Sequence, residues 1–329
     1  MSKAIRFHET GGPEVLRLDD VDVGPPAPEE AQLRHTAIGL NFIDVYDRTG
    51  LYPAPLPSGL GREAAGVITA IGRKVKGLRV GERVAYVLPK PGAYCEIRNV
   101  PAGQLVKVPK GVSDEQAAAI MLKGLTAHYL LRRTYRVASG DTILVHAAAG
   151  GVGLLLCQWA KALGATVIGV VGSEAKAQLA RKNGCRHVVL SGRDDLVARI
   201  KDITRGQGVA VVYDSVGKDT FFQSLDCLRP LGMMVTFGNA SGPVPAIAPL
   251  ELSKRGSLFL TRPTLFHYIA KRAELEAAAR QLFAAVKSKS VRVRIGQTYP
   301  LADAGQAHRD LEARRTTGST VLLPNTANS

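Results

Sequence analysis

Over roughly the first 120 residues the apolar positions come in short runs broken by glycine and proline. The runs at 4–7, 16–21, 32–40, 64–71, 83–87, 93–97 and 105–108 read as strands, separated by turn clusters at Gly11-Gly12-Pro13, Gly24-Pro25-Pro26 and 53–57. Such dense punctuation suits a compact β-barrel. Ser113-Asp114-Glu115-Gln116 is a capping box, in which the serine and glutamine side chains satisfy each other's backbone N–H. It predicts a helix to about 121, with a second from about 125 to 132.

From Thr142 the rhythm changes to strand–helix alternation. Strands are predicted at 142–146, 166–171, 187–190, 209–213, 233–237 and 257–260, with helices at 152–163, 174–183, 194–204 and 219–228 between them. Right-handed crossovers then demand a parallel, doubly wound six-stranded sheet in the order 3-2-1-4-5-6. After Pro263 an amphipathic helix at 273–287 and strand-like runs at 291–295 and 321–323 read as a return to the first domain. The fold class is α/β, with expected domains 1–124, 125–264 and 265–329.

The chemistry starts at Thr142 to Gly153, where an apolar run meets the turn Ala147-Ala148-Ala149-Gly150-Gly151-Val152-Gly153. Gly150, Gly151 and Val152 are placed to bring backbone N–H groups and a positive helix end to a pyrophosphate. Gly153 lets the helix pack tightly on the strand, and Ala148 holds the position of the first glycine in the usual G-x-G-x-x-G. A dinucleotide is the expected ligand.

An NAD site carries an acid at the tip of its second strand to accept from the ribose hydroxyls. Here the strand ends Val170-Val171-Gly172-Ser173, without a carboxylate at its tip. Ser173 can donate to a 2′-phosphate and Lys176, one turn on, can neutralise it. Glu174 reads as a first-turn residue facing solvent, so NADPH is the expected cofactor.

Composition adds bounds. The 329 residues, 46% hydrophobic and 22% charged, describe an ordinary globular protein. No apolar run approaches a membrane span, and Met1-Ser2-Lys3-Ala4 leads straight into a strand, so a cytoplasmic setting is expected. Cys95, Cys157, Cys185 and Cys227 lie far apart and are expected to be reduced, buried thiols. The net charge of +15 raises nucleic-acid binding. The basic residues are scattered, however, and an anionic cofactor with a generally basic surface accounts for them.

Further segments carry a resemblance over nearly the whole chain: 7–16, Gly39-Leu40-Asn41-Phe42-Ile43-Asp44, Gly50-Leu51-Tyr52-Pro53, Leu60-Gly61-Arg62-Glu63-Ala64-Ala65-Gly66, Tyr213-Asp214-Ser215-Val216-Gly217 and Phe237-Gly238-Asn239. With the glycine turn they resemble the zinc-free NADPH:quinone reductases, the zeta-crystallin group of the medium-chain dehydrogenase/reductase superfamily. That likeness implies a GroES-like catalytic domain joined to a Rossmann domain. Zinc alcohol dehydrogenases of this superfamily place a cysteine in G-x-C-x-x-D and a histidine in G-H-E, where this chain has Asn41 and Arg62. A guanidinium cannot ligate zinc and an amide is a poor substitute for thiolate, so no metal is expected.

The resemblance also implies site residues. Asn41, Tyr46 and Tyr52 would line the pocket, offering hydrogen bonds to a quinone oxygen as it becomes negative. Cofactor contacts are implied for Phe42, Ile43, Asp44, Val45, Thr126 and Tyr129. More follow at Phe237, Gly238, Asn239 and Ala240, at Pro263, Thr264 and Leu265, and on the phosphate side at Arg314. Relatives often carry tyrosine at the end of the third strand; Ser191 stands here, with Arg193 two residues on to supply charge. The implied activity is NADPH-dependent quinone reduction by a homodimer paired through edge strands. An enal or enone reductase on the same scaffold is the alternative. An NADPH-binding protein serving RNA or acting as structural mass is a third.

Overall fold

The computed structural model describes residues 1–324, which divide into two compact units: 1–125, 269–287 and from 293 onward, and 126–268 with 288–292. In the first unit β1 (Ser2–Phe7) pairs antiparallel with β2 (Leu16–Val21), from Ser2↔Val21 to Phe7↔Leu16. The long β3 (Glu30–Leu40) runs into α1 (Phe42–Thr49), and short β4 (Ser58–Gly59) adds to β1. Strands β5 (Glu63–Ile71), β6 (Arg83–Val87), β7 (Ile97–Pro101) and β8 (Val106–Lys107) follow, then helix α2 (Asp114–Tyr129).

The second unit alternates as the sequence demands. Its elements are β9 (Thr142–Val145), α3 (Gly151–Ala162), β10 (Thr166–Val171), α4 (Glu174–Lys182), β11 (His187–Leu190) and α5 (Leu196–Thr204). They continue with β12 (Val209–Asp214), α6 (Phe221–Asp226), β13 (Leu228–Thr236), α7 (Leu250–Lys254), β14 (Phe259–Thr261) and α8 (Leu265–Tyr268). The sheet is parallel, in the order β11-β10-β9-β12-β13-β14, which is the expected 3-2-1-4-5-6. All six residues of β12 are buried, and each fully buried Val contributes about 1.5–3 kcal/mol. That outweighs the ~1 kcal/mol net of a hydrogen bond, so apolar burial is the main term holding this sheet.

The chain then returns to the first unit through α9 (Arg272–Lys287), β15 (Ile295–Pro300), α10 (Ala304–Glu312) and β16 (Ser319–Leu323). Here β16 pairs with the end of β3, Thr320 opposite Leu40 and Val321 opposite Gly39, in a sheet ordered β15-β16-β3-β5-β6-β8 with β7 also on β3. The last strand among the described residues therefore steadies the strand end from which α1 departs.

Three expectations need correction. The helices predicted to 121 and from 125 form one helix, α2, whose capping box is as read: Gln116 N donates to Ser113 Oγ and Ser113 N to Gln116 Oε1, both at 3.1 Å. Gly124 does not break it, because a Cβ there would lie 2.6 Å from Leu282 Cδ1; the space of a side chain is filled by α9. At 93–97, Cys95 makes only an isolated bridge to Ala4, and Tyr94 N donates to Leu60 O while Ile5 N donates to Tyr94 O. Two different partners rule out a ladder, and the regular strand begins at Ile97. The strand expected at 291–295 begins at Ile295, with alternating half-buried and exposed residues to Pro300.

Candidate active site

Candidate residues lie in both units. In the second unit, Ala147 turns the chain at the end of β9 with φ 50° and Gly150 N donates back to its carbonyl at 2.8 Å. Gly150 caps α3 in extended conformation, leaving the helix N-terminus unsatisfied by any side-chain cap. A Cβ on Gly153 would lie 2.3 Å from Ala147 O and 2.8 Å from Ala148 Cα, so only glycine lets α3 sit on this turn. Ala148 fits the first glycine position because Gly169 of β10 makes room; a Cβ at 169 would lie 2.8 Å from the Ala148 methyl. These features fit a pyrophosphate: a cradle closed to side chains and a free helix N-terminus.

The neighbouring strand ends carry the other residues expected at the nucleotide. Gly172, Ser173, Ser191 and Arg193 are exposed at the carboxyl ends of β10 and β11. Ser173 is the N-cap of α4, its Oγ accepting from Lys176 N at 3.4 Å. A hydroxyl that accepts in this way keeps its proton to donate. Glu174 is drawn along the helix to Arg181 at 3.1 Å, in line with its reading as a solvent-facing residue. Phe237–Ala240 follow β13, where Gly238 packs so close to Ser215 O (2.4 Å from an added Cβ) that no side chain fits. Beyond β14, Pro263 is half-buried, Thr264 exposed and Leu265 buried; Thr126 is buried, and Tyr129 stacks on Tyr268 with ring centres 4.3 Å apart.

In the first unit Asn41 is the N-cap of α1 and closes a capping box with Asp44, whose Oδ2 accepts from Asn41 N at 2.9 Å. The Asn41 amide donates to Glu63 Oε1 at 2.7 Å and, more weakly, toward Gly39 O at 3.4 Å. The donor expected of Asn41 is thus already engaged inside the protein. The aromatic side chains do gather: Phe42 and Tyr46 ring centres are 5.6 Å apart, and Tyr52 packs edge-on against Tyr46 at 5.3 Å. Ile43 is half-buried and Val45 buried on the same helix, and Arg314 lies exposed in the turn after α10 with φ 58°.

Beneath α1 lies a polar network that the sequence reading did not find. Asp44 is fully buried, and its Oδ2 also accepts from Tyr94 Oη at 2.9 Å. Burial pushes its carboxyl up to about 7, opposed by the hydrogen bond from Asn41. Arg48 Nη1 donates to His308 Nδ1 at 3.2 Å, so His308 is neutral; its Nε2 faces Tyr94 Oη at 3.2 Å, and burial lowers it to about 3. Arg62 grips Asp47 in a buried bidentate pair, at 3.0 and 2.6 Å. Burial raises the Asp47 carboxyl, and Arg62 pulls it partly back. Glu63, Lys123 and Leu122 N converge on the far side. A lone lysine inside the apolar run Met121-Leu122-Lys123-Gly124-Leu125 was the one available signal.

Residues 27–110 match the family described as "Alcohol dehydrogenase GroES-like domain", and residues 151–285 that described as "Zinc-binding dehydrogenase". Over 98% of its length the chain is 52% identical to a quinone oxidoreductase of Pseudomonas aeruginosa, covering 100% of that protein. It belongs to the quinone oxidoreductase family of the medium-chain dehydrogenases/reductases. The solved Escherichia coli quinone oxidoreductase complexed with NADPH shares 50% identity and a TM-score of 0.96, over 98% of this chain and 100% of that one. A 2-haloacrylate reductase of Burkholderia is 47% identical over 98% of this chain and 99% of the relative.

The zinc in the second family's description does not suit these residues. Arg62 spends its guanidinium on Asp47 and Asn41 its amide on Glu63. Among the described residues no three His, Cys, Asp or Glu side chains converge as a ligand set. All four cysteines are buried free thiols. In this quinone oxidoreductase family member, organisation of the helix next to the site falls to hydrogen bonds and ion pairs.

Proposed function

We propose that the protein is an NADPH-dependent quinone reductase. The observation that carries the cofactor is the corner of β10 and α4, where Ser173 caps the helix, Lys176 lies in its first turn and Glu174 is paired with Arg181. The α3 N-terminus and the closed Gly153 turn would hold the pyrophosphate, and Ser173, Lys176 and the α4 N-terminus the 2′-phosphate. When bound, NADPH supplies a hydride from its nicotinamide C4. The acceptor class comes from the relatives named quinone oxidoreductases at 50–52% identity. A quinone is electrophilic already, so the protein has to orient it and meet the charge that develops on its oxygen. The Tyr46 and Tyr52 hydroxyls suit that task, and either can also deliver a proton.

The 2-haloacrylate reductase relative favours a second reading, addition of hydride to an activated C=C bond. NADPH oxidation measured against ortho-quinones, para-quinones, enals and 2-haloacrylates separates the two. Turnover of quinones at least tenfold faster than of alkenes is expected. Turnover confined to alkenes would move the assignment to double-bond reduction.

A homodimer is part of the proposal. Edge strand β14 and its surroundings leave Phe259 56%, Leu231 66% and Leu250 59% exposed, apolar surface suited to covering by a second copy. No helix among the described residues is long and apolar enough to cross a membrane, and we place the enzyme in the cytoplasm. A nucleic-acid role is not needed to account for its charge.

A further inference from the structure

We infer that the adjacent residues Arg62 and Glu63 form a two-point clamp that positions α1, and with it Tyr46, for catalysis. The catalytic consequence rests on the quinone reductase reading; the mechanical one does not. Successive side chains of an extended chain point to opposite sides, so this dipeptide reaches two separate points of the helix. Arg62, 7% exposed, holds Asp47 through Nε at 3.0 Å and Nη2 at 2.6 Å. Glu63, fully buried, holds the N-cap residue Asn41 at 2.7 Å. Asn41 and Asp47 are six positions apart, about 9 Å along the axis, so the two grips fix both position and rotation.

Glu63 is itself braced. Lys123 Nζ donates to it at 3.2 Å and to Leu40 O at 2.9 Å, and Leu122 N donates to its other oxygen. The carboxylate occupies the space a side chain at Gly39 would need, since a Cβ there would lie 2.3 Å from Glu63 Oε1. An eight-residue helix has little stability of its own. Buried ion pairs add little net stability over apolar replacements, and their better-attested use is to fix one arrangement. Two such pairs under one short helix, which carries Tyr46 against Phe42 and Tyr52, therefore act on geometry. Arg62 and Glu63 are positioning residues, since they act through Asp47 and Asn41.

The double substitutions Glu63→Met/Lys123→Met and Asp47→Leu/Arg62→Met each remove a whole pair, with the acceptor for Asn41 lost in the first, and leave no orphaned charge. In the full-length protein we expect cooperative thermal melting and an NADPH dissociation constant within about twofold of wild type, a shift far below one 1.4 kcal/mol decade. Amide hydrogen exchange over 42–49 should accelerate at least about tenfold, as local opening of the helix becomes easier. Quinone kcat should fall about tenfold to a hundredfold, the scale of a misplacement near 1 Å, with KM little changed. Wild-type exchange in the helix, or wild-type kcat, in either folded double variant would overturn the clamp. If the wild-type enzyme reduces no quinone, the function proposed above fails, and the exchange measurement alone still decides the clamp.

Discussion

At the corner of β10 and α4 one hydroxyl serves two ends. Ser173 Oγ accepts from Lys176 N to cap the helix, and its proton remains available for a phosphate oxygen. Glu174, the acid that would otherwise favour a ribose hydroxyl, is held by Arg181. Lys176→Ala should weaken NADPH binding by about ten- to a hundredfold, as expected for one charge-assisted hydrogen bond, and leave NADH within about twofold, a small fraction of that term. Fluorescence titration with both cofactors checks this; equal losses would show that Lys176 does not read the 2′-phosphate. These residues were legible in the sequence because cap, charge and strand end lie within a few positions of one another. Glu63 and Lys123 were not, because their partnership spans 60 residues and exists only once β5 and α2 are packed. The same holds for Asn41: its residue type suggested a donor to substrate, but its bond to Glu63 is invisible without the fold.

Elements obey the same division between local and distant causes. The parallel sheet could be ordered from its strand–helix rhythm, since handed crossovers leave few alternatives. The single helix α2 could not, because Leu282 from a distant helix fills the gap at Gly124. Gly153 shows a close approach that is local enough to predict and strict enough to test. Its missing side chain faces backbone atoms, Ala147 O and Ala148 Cα, which cannot swing aside as a flexible side chain would. Gly153→Ala should push α3 off the turn, costing about 1–3 kcal/mol of stability as overpacking does and weakening NADPH binding. Gly103→Ala, where an added Cβ meets nothing within 4 Å, is the control. Denaturant midpoints and NADPH titrations of the two variants should diverge; matching behaviour would mean α3 has slack against the turn.

For the molecule as a whole, the buried titratable groups set a pH profile whose contributions oppose one another. Burial lowers His35 from 6.5 to about 4 and His308 from 6.5 to about 3, so the unfolded chain binds two more protons than the native one between about pH 4 and 6.5. Their stabilisation is present above 6.5 and is lost on acidification. Asp44 acts the other way. Its carboxyl is raised from 3.8 to about 7, so the native state keeps a proton that the unfolded chain has released, and stability falls as pH rises through that window. Taken alone these three groups leave a slope of ~1.4 kcal/mol per pH unit, stability rising with pH to about 6.5, and Asp47, also raised by burial, adds in the direction of Asp44. His146, lowered by burial against a raising influence from Asp214, adds in the histidines' direction. Asp44→Asn removes the opposing contribution and keeps an oxygen to accept from Asn41 N, so its slope should steepen by ~1.4 kcal/mol per unit. Its stability relative to wild type should be greatest above pH 7, where the native carboxyl is ionised without its second oxygen bonded. Urea denaturation at fixed pH from 4 to 8 measures both slopes. Parallel profiles would mean that Asp44 ionises in the fold as it does in the open chain, and that the capping box at the start of α1 carries a full negative charge throughout.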